Sequence, residues 1–367
     1  MGGKGSVTLL KCRRTNHLRI IFPPTREVAI VWGMGQSTVQ NGGHSMTPEE
    51  IELKLSEIFM PYLVEQVGRV KANGTNFVHY TTADAAVSII RNNCVWLRNS
   101  LLMNDYSEVQ HGLRCLEFAW GTEHGARLRA IMDKAQEGMS DKFAAAFDGN
   151  RAELLHETFL LSISEHGDAV EDRYGRLSMW RAYGSTTSVA LVFHQQPFLS
   201  PSDALQAYTS PVFYGDPEDY VVEFAKVVNA IEANIDFLME AGGNAEWLSN
   251  TLMDTFRTSV LSTKHPSFRE EREWRVIYSP LPAPSPNIPK DDVSINGTPQ
   301  RIYKIPFVNH PDEGFTGATL PEALMRLIIG PVTAPYPTYQ TFNDLLQEAG
   351  VQNVGEKLTC SFVPLRT

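Results

Sequence analysis

The stretch Lys264–Tyr278, KHPSFREEREWRVIY, sets Glu270, Glu271 and Glu273 among Arg269, Arg272 and Arg275 where an apolar run begins. A carboxylate held beside a guanidinium stays ionised at neutral pH and stabilises positive charge developing in a substrate. With a strand's period of two, Glu271, Glu273 and Arg275 share one face, and Trp274, Val276 and Tyr278 take the other. A face of that kind is either solvated or lines a cleft. Three further groups carry chemistry: His79 and Tyr80 closing NFVHY, Asn104, Asp105 and Glu108 in NDYSE, and Ser178, Trp180 and Tyr183 in LSMWRAY. Each also has a purely structural reading. His79 is then a satisfied core imidazole, NDYSE a turn capping the next helix, and Trp180 with Tyr183 a buried pair at helical spacing.

Positioning these groups falls to elements legible in the pattern. TPEEIELKLSEIFMPYL opens with a capping box, Thr47 with Glu50, and Pro48 at the first helical position; Pro61 then breaks or kinks the helix. NFVHYTTADAAVSIIRNNCVWLRN reads as strand, helix capped by Thr81 or Thr82, and strand. A helical region runs to about Asp148, and TFLLSISE, SVALVFH, PVFYG, EWRVIY and RIYKIPF read as strands. Residues 216–263 read as two helices around the AGGN break, and SPLPAPSPNIPKDD as a surface loop. MRLIIGP, an amphipathic helix in YPTYQTFNDLLQEAG and a strand in LTCSFVPL follow. Strands and helices intermix without strict alternation, which predicts an α+β fold.

The 367 residues, 43% hydrophobic and 20% charged, suffice for a large core. Residues 46–367 are expected to form a single α+β domain opened by a helix over 46–72, behind a poorly ordered extension over 1–45 that carries six basic residues against one acid. Met34 and Met46 offer later starts, and the GxG at Gly33–Gly35 lacks the third glycine and helix of a dinucleotide loop. No run approaches eighteen apolar residues and no signal-type segment opens the chain, so a cytoplasmic protein without membrane contact is expected. Four scattered cysteines read as reduced thiols. A net charge of -10 disfavours non-specific duplex binding. There is no acidic cluster with metal-ligand spacing and no GxSxG elbow, which lowers nuclease and serine-hydrolase chemistry.

FVHYTTADAAVSII, VWLRNSLLMNDYSE, LSISE, LSMWRAYG, HPSFREEREWRVIY and the terminal LIIGP resemble, in order from about Asn76, the bacterial domain-of-unknown-function 2971 family. The opening strand, helix and strand are also similar to the ADP-ribosyltransferase-like core. That resemblance implies a mixed, mostly antiparallel split sheet, here with helical insertions near 106–156 and 216–263, and a His-Tyr-Glu site that uses NAD. His79 would anchor ribose and carboxamide, Tyr183 with Trp180 would form the stacking platform for nicotinamide, Tyr80 would lie with the cofactor-binding residues, and Glu273 would be the catalytic carboxylate. Glu271 would orient the acceptor or take its proton, Arg98 and Arg275 would meet the pyrophosphate, and Asn104, Asp105 and Glu108 would lie towards the substrate. The serine-threonine-serine triplet of some branches is absent, with Ser162 and Ser164 only a loose substitute.

The expected activity is transfer of ADP-ribose from NAD to a macromolecular acceptor, protein or nucleic acid, in phage defence or a toxin system. A first alternative is an NAD glycohydrolase. A second is a non-catalytic sensor or interaction module in which the charged motifs form an ion network joining the early turn to the late strand.

Overall fold

The computed structural model describes residues 40–41, 44–102, 106–167, 169–183, 187–281, 284–295 and 297–363. Of the expected N-terminal extension, Gln40–Asn41 and His44–Ser45 pair antiparallel; the GxG segment, Asn104 and Asp105 lie outside the described residues. The fold is α+β around a ten-stranded, mostly antiparallel sheet.

Thr47 caps α1 (Pro48–Phe59) as its sequence predicts: Glu50 N donates to Thr47 Oγ1 at 3.2 Å and Thr47 N to Glu50 Oε2 at 2.7 Å. Pro61 breaks the helix, and α2 (Pro61–Asn73) starts there. Strand β1 (Phe77–Thr82), helix α3 (Ala83–Asn92) and strand β2 (Cys94–Asn99) follow, with Thr82 as the cap. Four helices come next, α4 (Tyr106–Trp120), α5 (Glu123–Ala135), α6 (Met139–Gly149) and α7 (Arg151–His156).

Strand β3 (Phe159–Glu165), helices α8 (Ala169–Tyr174) and α9 (Leu177–Tyr183), and strands β4 (Ser188–Phe193) and β5 (Tyr208–Pro211) come next. PVFYG supplies only a two-residue strand, β6 (Phe213–Tyr214), which pairs in parallel with β7 (Thr263–Lys264). Between them stand three helices where the pattern predicts two: α10 (Pro217–Ala233), α11 (Ile235–Gly242) and α12 (Ala245–Leu261). The extra break falls at Asn234, and the AGGN break is present, with Gly243 at φ +78°.

Strand β8 (Glu273–Tyr278) leads to β9 (Lys290–Ile295) and β10 (Thr298–Pro306), an antiparallel hairpin. KDD therefore belongs to a strand, and the preceding loop is tied down: Ser285 N donates to Tyr278 Oη at 2.9 Å, and Ile288 is buried. Strand β11 (Leu324–Ile329), helix α14 (Pro335–Glu348), which follows a short helix α13 (Leu320–Ala323), and strand β12 (Leu358–Cys360) complete the sheet. Among the described residues no helix is long and apolar enough to cross a membrane.

The sheet forks at β3. Along one edge β3 pairs with β8 from Phe159↔Tyr278 to Ser164↔Glu273, and β5 closes that side. Along the other edge it meets two strands, β1 at Ser164 and Glu165, and β2 at Phe159 and Leu160. One arm continues through β1, β4, β11 and β12, the other through β2, β10 and β9. Residues 161–163 thus lack a ladder partner on the forked edge, and a buried carbonyl there needs another donor.

Candidate functional site

His79 supplies it. Its Nδ1 donates to the Ser162 carbonyl at 3.0 Å inside the fork. Burial holds the imidazole below its ordinary pKa, against the opposing effect of that bond, so the ring is neutral and carries its proton on Nδ1. Strand alternation puts His79 on the face of Phe77, whose ring meets Trp274 at 5.2 Å between centroids. Glu273 pairs with Ser164, and Ser164 with Val78, so Glu273 and Arg275 occupy the opposite face. Strand alternation thus directs His79 and Glu273 to opposite faces of the sheet.

Glu273 and Arg275 do share a face, as period two requires, but it is neither solvated nor a cleft wall: Glu273 is 5% exposed and Arg275 0%. Glu271 is not in the strand. It ends a 3-10 turn, Pro266–Glu271, after which Arg272 at φ +46° turns the chain into β8. Its side chain reaches the same cluster by another route. Lys264 Nζ, on β7, lies 2.6 Å from Glu271 Oε2, 2.7 Å from Glu108 Oε1 and 3.2 Å from Glu273 Oε2. Arg275 donates through Nε to Glu273 Oε1 at 2.9 Å, through Nη1 to the Leu261 carbonyl at 2.6 Å, and through Nη2 to Glu108 Oε2. Tyr214 Oη accepts from Glu273 N at 2.7 Å.

Three carboxylates and two cations leave one negative charge in excess. Burial raises the Glu273 carboxyl, but the charges of Arg275 and then Lys264 outweigh it and hold the group at about 2. Burial likewise lowers Lys264, and Glu273 and Glu108 more than restore it, leaving the amine firmly protonated. Glu271 is the member pushed upward, by burial against the Lys264 bond, and its side chain keeps 14% exposure at the cluster's edge.

A second network covers the neighbouring end of the same face. Arg176 Nη1 donates to Ser164 Oγ at 2.9 Å and to the carbonyls of Glu270 and Glu271; Nη2 reaches the Glu165 carbonyl at 2.8 Å, and Nε reaches Glu171 Oε1 at 3.0 Å. Arg176 N donates to Tyr80 Oη at 2.9 Å. On the His79 face, Glu165 accepts from Arg69 Nη1 at 3.0 Å and from Trp274 Nε1 at 2.9 Å.

The expected stacking platform is divided. Trp180 is 2% exposed, its Nε1 donates to the Tyr174 carbonyl at 2.8 Å, and its ring stands edge-on to Tyr80 at 4.9 Å in a small cluster with Val78, Met179 and Ile328. Tyr183, on the last turn of α9, is 38% exposed. Arg98 donates to Gln300 Oε1 at 3.2 Å and to the Leu102 carbonyl at 2.9 Å, on the other arm of the fork. Sequence reasoning missed Lys264, Arg176, Glu165 and Tyr214. Lys264 opens the very stretch that attracts attention, but strand periodicity gives no weight to a residue nine positions upstream of Glu273.

Residues 179–276 match the family described as a protein of unknown function (DUF2971). The matched segment runs from Met179 in α9 to Val276 in β8 and so contains Lys264, Glu271, Glu273 and Arg275, while His79, Tyr80, Arg98 and Glu108 precede it. No curated protein and no solved structure matches the chain. Among the described residues no group of histidine, cysteine and carboxylate side chains could hold a metal ion.

Proposed function

We propose that this protein is a non-catalytic sensor module whose charged motifs bolt two parts of the fold together, in preference to an enzyme acting on NAD. One observation carries the reading: both Glu273 oxygens are bonded to buried cations, and the imidazole meant to share its pocket is directed by strand alternation to the opposite face and is spent on the Ser162 carbonyl in the fork. A glycosidic carboxylate must meet the developing charge of the substrate. The Glu273 oxygens instead meet Arg275 and Lys264, a closed arrangement in which bonds to both oxygens offset the cost of desolvation. The experiment is incubation of the purified protein with NAD, with and without lysate, measuring nicotinamide release and acceptor labelling. Neither is expected, and Glu273→Gln should lower the melting temperature. Nicotinamide release that Glu273→Gln abolishes at unchanged stability would overturn the reading.

A specific feature keeps ADP-ribosyl transfer as the second reading. The sheet forks, and Glu271, at the rim of the cluster with a raised carboxyl, has the properties of a group that takes a proton from an acceptor. Under that reading the substrate is NAD, the acceptor is a protein or nucleic acid, and water as acceptor makes the protein a glycohydrolase. Glu271→Gln would then abolish turnover with little loss of stability.

A further inference from the structure

Helix α8 lies beside β11 and β12, and none of its six residues is buried. Apolar packing therefore contributes little to holding it, and polar contacts tie it down. Tyr174 offers its carbonyl to Trp180 Nε1 at 2.8 Å and to Ser361 Oγ. Glu171 accepts from Gly167 N at 2.7 Å and from the guanidiniums of Arg176 and Arg272. Asp172 accepts from Arg326 Nη2, on β11, at 2.9 Å and from His166 Nε2 at 3.1 Å.

His166 differs from the other fasteners, since a proton can change it near neutral pH. It follows β3 directly, its N donates to the Asn76 carbonyl at 2.8 Å, and it is 5% exposed. With Asp172 as acceptor, Nε2 carries the proton of the neutral ring. Nδ1 is buried and has no hydrogen-bond partner among the described residues. A second proton placed there would be an N–H closed off from water with nothing to accept it, which is costly. The groups around it do not offset that cost. Asp172 favours the imidazolium, but it is 38% exposed and already shares its charge with Arg326, so its pull is screened. Glu171 also favours it while committed to Arg176 and Arg272, and Arg176 opposes it; the preceding carboxylate, Glu165, is turned to Arg69 and Trp274. Burial thus holds the imidazole below its ordinary 6.5, against the bond and the charge of Asp172.

We propose that α8 is a strap latched by neutral His166, and that a proton on Nδ1 releases it by turning the ring out to water. This rests on the sensor reading and deepens it by naming the proton as the signal. Closed, the strap keeps the Glu171 carboxylate on Arg176, which also holds Ser164 and the carbonyls of Glu165, Glu270 and Glu271. Open, it bares that guanidinium, whose bond to the Glu271 carbonyl adjoins the Lys264 network. Because the closed strap favours the neutral ring, the latch is complete above pH 6.5 and weakens as pH falls towards the lower value of the folded ring.

The test is hydrogen exchange of the full chain at pH 7.5 and 5.0, corrected for the intrinsic pH dependence of exchange and read on peptides spanning residues 169–176. Their protection should fall severalfold at pH 5.0, while strands β3 and β4 keep theirs. His166→Gln keeps a donor at the Nε2 position and cannot take the proton, so its protection should be the same at both pH values. Asp172→Asn removes a charge that favours the imidazolium in the closed state and should deepen the loss. The His166 ring resonance, assigned by its absence from His166→Gln, should titrate below 6.5. Circular dichroism checks the fold of each variant, and the wild type with Asp172→Asn suffices if His166→Gln does not fold. Protection over 169–176 that is unchanged between the two pH values, a loss shared equally by β3 and β4, a loss undiminished in His166→Gln, or a His166 resonance titrating above 6.5 would each overturn the proposal. The outcome separates from the NAD assay: pH-independent protection without nicotinamide release removes the strap and leaves the sensor reading standing, and nicotinamide release from a protein whose α8 opens in acid does the reverse.

Discussion

Lys264 Nζ stands 2.7 Å from Glu108 Oε1, joining the first turn of α4 to the strand that follows α12. Arg275 bonds the same carboxylate from β8, so Glu108 is gripped by two cations that the chain delivers more than 150 residues later. Removing one partner from such a group strands a buried charge, at a cost of about 3–5 kcal/mol. Arg275→Met, which leaves three carboxylates to one cation, should lower the melting temperature by roughly 5–15 °C, and Glu108→Gln, which leaves two carboxylates to two cations, by less. Scanning calorimetry checks this, and a change below about 2 °C for both would contradict the network's structural role.

Acid should act through Glu273. Its carboxyl sits at about 2 in the folded chain against an ordinary 4.5, so folding favours the ionised form. The stability this contributes is complete above about 4.5 and is lost as pH falls through about 2. Urea midpoints measured from pH 6 down to pH 2 should fall more steeply in the wild type than in Glu273→Gln. Parallel curves would contradict the assignment.

Arg176 serves three backbone carbonyls, a hydroxyl and a carboxylate with one guanidinium. Arg176→Met keeps much of the volume and loses every bond, leaving several buried acceptors unpaired at about 1–3 kcal/mol each. The loss in urea unfolding should exceed that of Glu171→Gln, which keeps the shape and removes the charge from the pairs with Arg176 and Arg272. Equal effects would show that the carbonyl contacts contribute little.

Gly175 holds φ +65°, and a Cβ there would stand 2.2 Å from Trp180 Cζ2. Backbone strain and displacement of a packed indole together predict that Gly175→Ala costs roughly 2–4 kcal/mol. The near-ultraviolet circular dichroism of the tryptophans should weaken with it. An unchanged spectrum and melting temperature would mean that Trp180 moves aside freely.

Local chemistry was legible in the sequence wherever one element decides it. The Thr47–Glu50 capping box, the break at Pro61, the Thr82 cap and the shared face of Glu273 and Arg275 depend on neighbours within a few positions, where hydrogen-bond reach and strand pleat leave little choice. The split of the sheet and the side to which each strand turns depend on pairing between distant segments. Only the register Val78↔Ser164↔Glu273 reveals that His79 and Glu273 face away from each other. Only the fold turns Lys264 from an unremarked residue into the centre of three carboxylates, because ion pairing acts through space and burial makes it strong, and neither distance in space nor burial is written in the order of residues.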